Sequence, residues 1–254
     1  MKPVKIIGGR SMIREVSLSS DEFTATANSD EKGKITCRVK RHSSLSIFLY
    51  RSKLPIPRLA KLLLLLTGDM TKRAWEILSL LLLCVVLSEY CLPASSYRDH
   101  FFALFGWYNV LTFYIVTLVI GLIFIRKHIA NWHGAEHMAI AAYERTSATD
   151  IQGITQESPI HDKCGGRLLL PLLVGMIMAS FIAKNFAVSE TIVFIAILEC
   201  LLWVDKLIGW DKIPLTSQAS RLLQKWVTTR YPGEQELKTA QCALQELVNA
   251  HKAL

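Results

Sequence analysis

The segment His133-Gly134-Ala135-Glu136-His137 places two imidazoles and a carboxylate within a few residues of one another. It matches the H-x-x-E-H pattern of inverted zinc-peptidase motifs. On a helix, residues four apart lie one turn above each other, so His133 and His137 can contact the same ion. Glu136 is then placed to accept a proton from water that the ion activates. The motif predicts a divalent metal site, with zinc as the metal and Glu136 as the catalytic residue.

Two histidines do not complete a zinc site, because such sites use three or four protein ligands. Glu144 shares a helical face with His137, but it lies about 16 Å along the helix axis from His133, too far to share an ion. His161 and Cys164 form a compact His-x-x-Cys pair in the same loop. A cysteine beside histidines is typical of metal binding. The predicted metal ligands are therefore His133, His137, His161 and Cys164.

The number of ligands bears on what the site does. Four protein ligands form the closed arrangement of structural zinc sites, whereas three ligands and an open position are the arrangement of catalytic sites. The spacing in the sequence is compatible with both. A third interpretation involves no metal at all: the histidines bond backbone groups at a helix end, where Gly134 weakens the helix.

The composition favours a membrane protein. The chain has 254 residues, of which 51% are hydrophobic, and a net charge of +8. Its mean hydropathy is +0.31. A helix needs roughly 20 apolar residues to cross a bilayer, and four apolar blocks approach that length. They are residues 75–92, 101–125, 168–186 and 191–210. The third block is interrupted by Pro171 and Lys184, and the fourth contains Glu199, so these two are predicted to form a helical hairpin that crosses fully or is re-entrant.

Lysine and arginine cluster before the first block, in the central loop 126–167 and after the fourth block. Because positive charge near the spans stays inside, both termini and this loop are predicted to be cytoplasmic, in a multi-pass protein of the cell membrane. The positive charge is explained by topology and anionic lipid headgroups, so the expected partners are the bilayer and a membrane protein, with no nucleic acid. The six cysteines show no disulfide spacing, which favours a reducing compartment.

Around the apolar blocks, smaller elements are expected. Residues 23–27 and 35–39 are β-prone and flank a turn-rich segment, which predicts a hairpin, and residues 4–7 predict an earlier strand. Two helices are predicted at 217–228 and 234–253. The predicted fold class is a membrane all-α protein with about four transmembrane helices. Its predicted parts are a cytoplasmic β-hairpin domain (1–58), an interfacial helix (59–74), the transmembrane region with the metal-site loop (75–210) and a cytoplasmic helical tail (211–254).

These motifs resemble the YqhQ-like family of predicted metal-dependent membrane proteins, also described as domain of unknown function 1385. Two stretches carry the resemblance: the central loop with His133 to His137, Ala142-Tyr143-Glu144, His161 and Cys164-Gly165, and the carboxy-terminal Thr228-Thr229-Arg230 with Pro232. The amino terminus departs from the family's glycine-rich start and keeps only Gly8-Gly9 and an approximate Arg10-Ser11-Met12-Ile13. The resemblance implies a metal site but no particular reaction.

Three functions are compatible with the sequence. The first is a non-catalytic membrane factor, in which a metal ties the central loop to the helices and the cytoplasmic parts bind a partner. The second is a membrane-bound metal-dependent hydrolase that acts on a peptide or lipid near the cytoplasmic interface, with Glu136 as general base. The third is a transporter-like protein, which Glu199 and Asp205 in the fourth block suggest.

Overall fold

The structure is a computed structural model that describes residues 4–44, 47–48, 119–186 and 190–253. The predicted interfacial helix at 59–74, the first predicted span and most of the second span lie outside the described residues. The end of the second span is described, and residues 119–128 are helical.

The amino-terminal part forms a four-stranded antiparallel sheet with the strand order β1-β2-β3-β4. The strands are β1 (Gly8–Met12), β2 (Glu15–Ser19), β3 (Phe23–Ser29) and β4 (Ile35–Arg41). Consecutive strands are antiparallel neighbours, as expected where short turns connect them. The hairpin predicted from residues 23–27 and 35–39 is confirmed as β3 and β4. The strand predicted at 4–7 is misplaced, because β1 begins only at Gly8.

After the helical residues 119–128, six α-helices follow in the described residues. They are α1 (Ala130–Thr146), α2 (Ile151–Thr155), α3 (Leu169–Phe186), α4 (Glu190–Leu207), α5 (Pro214–Leu223) and α6 (Glu234–Lys252). A 3-10 turn (Gly165–Leu168) precedes α3, and a π-helical turn (Gln224–Thr228) extends α5. The two helices predicted for the carboxy-terminal tail are confirmed, with an earlier start for the first.

The hydrophobic core lies between the sheet and helices α1 and α6. Val16 and Leu18 of β2 are fully buried there, as are Leu244 and Leu247 of α6. Since α1 is packed into this core, the histidine motif that it carries is held on a rigid element.

A disulfide links Cys37 of β4 to Cys242 of α6, with 6.6 Å between the two Cα atoms. The expectation of unpaired cysteines in a reducing compartment does not agree with this pair. The two residues are 205 positions apart, and only the packing of α6 on the sheet brings them together. No local spacing in the sequence could have indicated the bond.

The structure contradicts the predicted membrane all-α fold. The chain forms a β-sheet core, and among the described residues no helix combines the length and the apolar character that a membrane crossing needs. Helices α3 and α4 have 18 residues each, at the short end of the range of about 17 to 25 residues that a membrane span uses. Helix α4 also contains Glu199 and Asp205. The predicted transmembrane helices at 168–186 and 191–210 and the assignment to the cell membrane with cytoplasmic termini are therefore wrong.

The pairing of two helices predicted for these blocks is confirmed, because helices α3 and α4 pack along each other. Their polar residues have partners within the described chain: Trp203 donates a hydrogen bond to Glu199, and Arg167 forms two hydrogen bonds to Asp205. Large apolar side chains of α3, among them Ile177 and Phe181, are nevertheless exposed.

Candidate metal centre

Helix α1 brings the two histidines of the motif together. The His133 and His137 rings lie one turn apart, with 4.2 Å between their centroids. Gly134 between them is required by a close approach of the carboxy-terminal segment: a Cβ at this position would lie 2.0 Å from the carbonyl oxygen of Arg230. The backbone N–H of Arg230 also donates to the carbonyl of Ala130. The glycine that weakens the helix therefore allows a second piece of chain to reach the histidines.

Backbone carbonyls fix the protonation pattern of both histidines. Nδ1 of His133 lies 3.0 Å from the Thr228 carbonyl, and Nδ1 of His137 lies 2.8 Å from the Pro159 carbonyl. A carbonyl oxygen only accepts hydrogen bonds, so each Nδ1 carries the hydrogen. In each neutral ring, Nε2 then keeps a lone pair. Histidines that ligate metals are typically held in this way, with the second nitrogen donating to a carbonyl or carboxylate.

Cys164 completes the cluster from another part of the chain. It precedes the 3-10 turn that leads into α3. Its Sγ accepts a hydrogen bond from Gly166 N–H and lies 3.8 Å from Nε2 of His133. One ligand atom from each of His133, His137 and Cys164 falls within 4.8 Å of the others. In an ideal tetrahedral zinc site, nitrogen and sulfur ligands are about 3.6 Å apart. The cluster could therefore hold a metal ion.

His161, the fourth predicted ligand, lies beside this group without joining it. Its ring centroid is 5.7 Å from that of His137, while its Nε2 lies 3.5 Å from an Oε2 of Glu144. Gln224 holds the main chain of His161 in place: its side-chain oxygen accepts from His161 N–H at 2.8 Å, and its side-chain nitrogen donates to the His161 carbonyl at 3.1 Å. Gln224 is fully buried, so the approach of His161 is fixed by a buried side chain.

Glu136 lies on α1 between the histidines and is 4% exposed. Burial raises the pKa of its carboxyl group to about 8, although a hydrogen bond with Ser11 acts in the opposite direction. Its Oε2 has no hydrogen-bond partner among the described residues. Strand β1 covers this carboxyl so closely that a Cβ on Gly9 would lie 2.3 Å from Glu136 Oε1. Burying a carboxyl group with an unpaired oxygen costs folding free energy. Such a group is therefore a candidate for a functional role.

Burial also changes the pKa values of the three residues of the cluster. It lowers the pKa of His133, and with help from the nearby His133 it lowers the pKa of His137 to about 3. Both imidazoles are therefore neutral near pH 7, the form that binds metals. Burial raises the pKa of the Cys164 thiol, so this residue retains its proton near neutral pH until a cation stabilises the thiolate.

The cluster opens into a cavity of about 310 Å³. His133, Glu136, His137, His161 and Cys164 all line it, together with residues 6–9 at the start of the sheet. Two cationic side chains also line the cavity, and each has a carboxylate partner: Lys163 pairs with Glu144 at 2.9 Å, and Arg167 pairs with Asp205 at 2.9 Å.

Several residues of this site were not identified from the sequence. Gly9 and Ser11 contact Glu136 from β1, and Thr228 and Gln224 hold the histidines from the π-helical turn. Gly8-Gly9 and Thr228-Thr229-Arg230 were noted only for their resemblance to a family, and no local pattern connects them to α1. Their role depends on contacts between segments far apart in the chain.

The described residues define a mixed α and β protein with a buried His-His-Cys cluster. The chain belongs to the family of proteins of unknown function DUF1385, which matches residues 70–250, more than half of the chain. This match confirms the family that the motifs resemble. The matched region includes the whole cluster, whereas the sheet lies before it. No curated protein and no solved structure matches the chain.

Proposed function

We propose that this protein is a zinc-dependent hydrolase in which His133, His137 and Cys164 hold the ion and Glu136 is the general base. One observation carries the proposal: two neutral histidines are oriented by backbone carbonyls towards a cysteine, directly beside a buried carboxyl with an unused oxygen. The neutral imidazoles and the thiolate-forming cysteine suit zinc, which favours nitrogen and sulfur ligands.

The ligand count favours catalysis over a structural role. Three protein ligands leave one position of a tetrahedral site for water or substrate. His161 would have to release Glu144 to become a fourth ligand, and Gln224 holds its main chain in the present place. The adjoining cavity gives a substrate access to the cluster. A purely structural site needs neither the cavity nor Glu136.

Each residue of the site has a defined task. When bound, zinc supplies Lewis-acid activation of water at neutral pH. Glu136 holds or transfers a proton at its carboxyl oxygens. A nearby cation favours the ionised form of this carboxyl group, which is the form that accepts a proton. Ser11 and Gly9 fix the position of this carboxyl, and the carbonyls of Thr228 and Pro159 fix the two imidazoles. The surrounding burial excludes bulk water.

The test combines metal analysis with hydrolysis of a small ester. The purified chain is loaded with zinc, dialysed and analysed for metal, and its hydrolysis of p-nitrophenyl acetate is measured. We expect His133→Ala and Cys164→Ser to lose zinc. Glu136→Gln should keep zinc and lose activity by about 100-fold or more, the usual contribution of a general base.

Two controls match these variants. His128→Ala removes a histidine from the helical turn before α1, and Cys200→Ser removes an exposed free cysteine; both should keep zinc and activity. Retention of zinc by the His133 and Cys164 variants would overturn the proposed ligands. A Glu136→Gln variant as active as wild type would indicate a structural metal instead.

A further inference from the structure

The edge strand of the sheet forms one wall of the cavity beside the cluster. Four consecutive residues, Ile6, Ile7, Gly8 and Gly9, line the cavity where the chain enters β1. β1 stands at the end of the strand order and pairs with β2. No strand among the described residues pairs with its other edge. Such an edge presents a row of backbone N–H and C=O groups to any extended chain that approaches it.

The described residues leave space beside Gly8 at the cavity mouth. A Cβ placed on Gly8 would meet none of their atoms within 4 Å, and the residue is exposed. A Cβ placed on Gly9, the next residue, would instead point at the Glu136 carboxyl group. The same short stretch of backbone therefore borders both the open edge and the buried carboxyl, so a chain paired with β1 would run past the His-His-Cys cluster.

The charges of the cavity favour a neutral substrate. Sites for phosphate groups use lysine and arginine side chains that are available to the ligand. Here Lys163 and Arg167 are each engaged by a carboxylate, Glu144 and Asp205. Apart from the His-His-Cys cluster, His161 and Glu136, the remaining wall is made of isoleucine side chains and glycine backbone. A peptide main chain, which is neutral and both donates and accepts hydrogen bonds, fits such a wall.

We infer that the substrate is an extended peptide segment that adds to the open edge of β1 as a further strand. This inference rests on the proposed hydrolase function and names its substrate class. The reaction consumes one water molecule: the amide C–N bond breaks, the carbonyl carbon gains the hydroxyl oxygen, and the released nitrogen takes a proton to form an amine. Strand addition of this kind draws affinity from main-chain hydrogen bonds and specificity from alternate side chains.

The experiment measures binding separately from hydrolysis. The probes are a fluorescein-labelled mixture of short unstructured peptides and a matched mixture with every second backbone nitrogen methylated. Binding to the whole, zinc-loaded chain carrying Glu136→Gln is followed by anisotropy, and backbone amide exchange is followed over residues 6–12. We expect the unmethylated peptides to bind and to slow exchange along β1. Methylation should weaken binding by about tenfold or more, since it removes main-chain donors.

A paired substitution tests the place of binding. Gly8→Leu extends a side chain into the open space at the cavity mouth and should weaken peptide binding by a similar factor, while zinc content stays unchanged. Gly121→Leu is the control, because a Cβ there also meets no atom of the described part of the chain within 4 Å, and it should leave peptide binding unchanged.

The outcomes separate the two proposals. Zinc binding and ester hydrolysis without peptide binding would overturn the peptide inference and leave the hydrolase standing. The inference also fails if the β1 amides are already protected in the free protein, since another part of the chain would then cover the edge. Peptide binding with β1 protection but without zinc-dependent hydrolysis would support the docking edge and refute the hydrolase.

Discussion

Replacing Gly134 by alanine tests whether the carboxy-terminal segment holds the metal centre. The added Cβ would lie 2.0 Å from the carbonyl oxygen of Arg230 and 3.3 Å from the Pro159 side chain. The first contact is with backbone, which cannot turn aside as a side chain can. Because non-bonded carbon and oxygen atoms repel well inside about 3 Å, the segment must move by at least about 1 Å. The hydrogen bond from His133 to the Thr228 carbonyl, now 3.0 Å, would then be lost.

Two effects of opposite sign determine how much Gly134→Ala changes the free energy of unfolding. Alanine is favoured over glycine within a helix by about 1 kcal/mol. Overpacking costs about 1 to 3 kcal/mol, and the lost hydrogen bond adds about 1 kcal/mol. We expect Gly134→Ala to lower the free energy of unfolding by roughly 1 to 3 kcal/mol overall. Zinc affinity should fall by about 10-fold to 100-fold, as for other losses of the groups that orient metal ligands.

The assay is urea unfolding together with zinc titration against a competing chelator. Gly121→Ala serves as the control, since no atom of the described residues would lie within 4 Å of a Cβ on that helical glycine. It should stabilise the protein by up to about 1 kcal/mol and leave zinc affinity unchanged. If Gly134→Ala matched this control in both measurements, the argument that the carboxy-terminal segment orients His133 would be refuted.

Three further predictions concern stability. Between pH 4.5 and about 8, the metal-free folded state keeps a proton on Glu136 that the unfolded state has lost. The wild type should therefore lose stability relative to Glu136→Gln as the pH rises through this range. Unfolding at pH 5 and pH 8 would show this, and a constant difference between the two proteins would contradict it. Gln224→Ala should lower the free energy of unfolding by about 1 to 3 kcal/mol and speed amide exchange at His161, because the Gln224 side chain binds the main chain of that residue. Unchanged exchange would exclude this role of Gln224. Reduction of the Cys37–Cys242 disulfide should cost about 2 to 4 kcal/mol, and a reducing agent should have no effect on unfolding of the Cys37→Ser variant.

The sequence indicated the parts of the site that follow from local spacing. The helical repeat brings His133 and His137 together, and the turn-rich segment between two β-prone runs predicts the β3–β4 hairpin. Cys164 was a candidate because it stands near histidines in the sequence. The structure brings Cys164 to His133 through packing of the loop before α3, which the spacing did not determine.

The remaining features depend on contacts between distant segments. Ser11 reaches Glu136 across more than a hundred residues, and Gln224 reaches His161 from the end of α5. His161 and Cys164 stand close together in sequence, yet His161 approaches Glu144 while Cys164 approaches His133, because the orientation of a loop side chain depends on its tertiary neighbours.

The error in fold class has a similar origin. Hydropathy alone favoured spans at 168–186 and 191–210, but it does not show which polar residues within a block have partners. Asp205 of α4, for example, accepts two hydrogen bonds from Arg167. The sheet that forms the core came from short strands, whose signal is weaker than that of a long apolar block.

The His133 ring is held by a carbonyl that the ribosome adds long after all three proposed ligands. A nascent chain released before Thr228 would contain His133, His137 and Cys164 but not the group that orients the first of them. Tight zinc uptake should therefore be delayed until the segment around Thr228 has emerged and docked on α1. Metal content would then report whether this later segment has been made and has folded onto the helix, and truncations before Thr228 should be deficient in zinc even though every ligand is present.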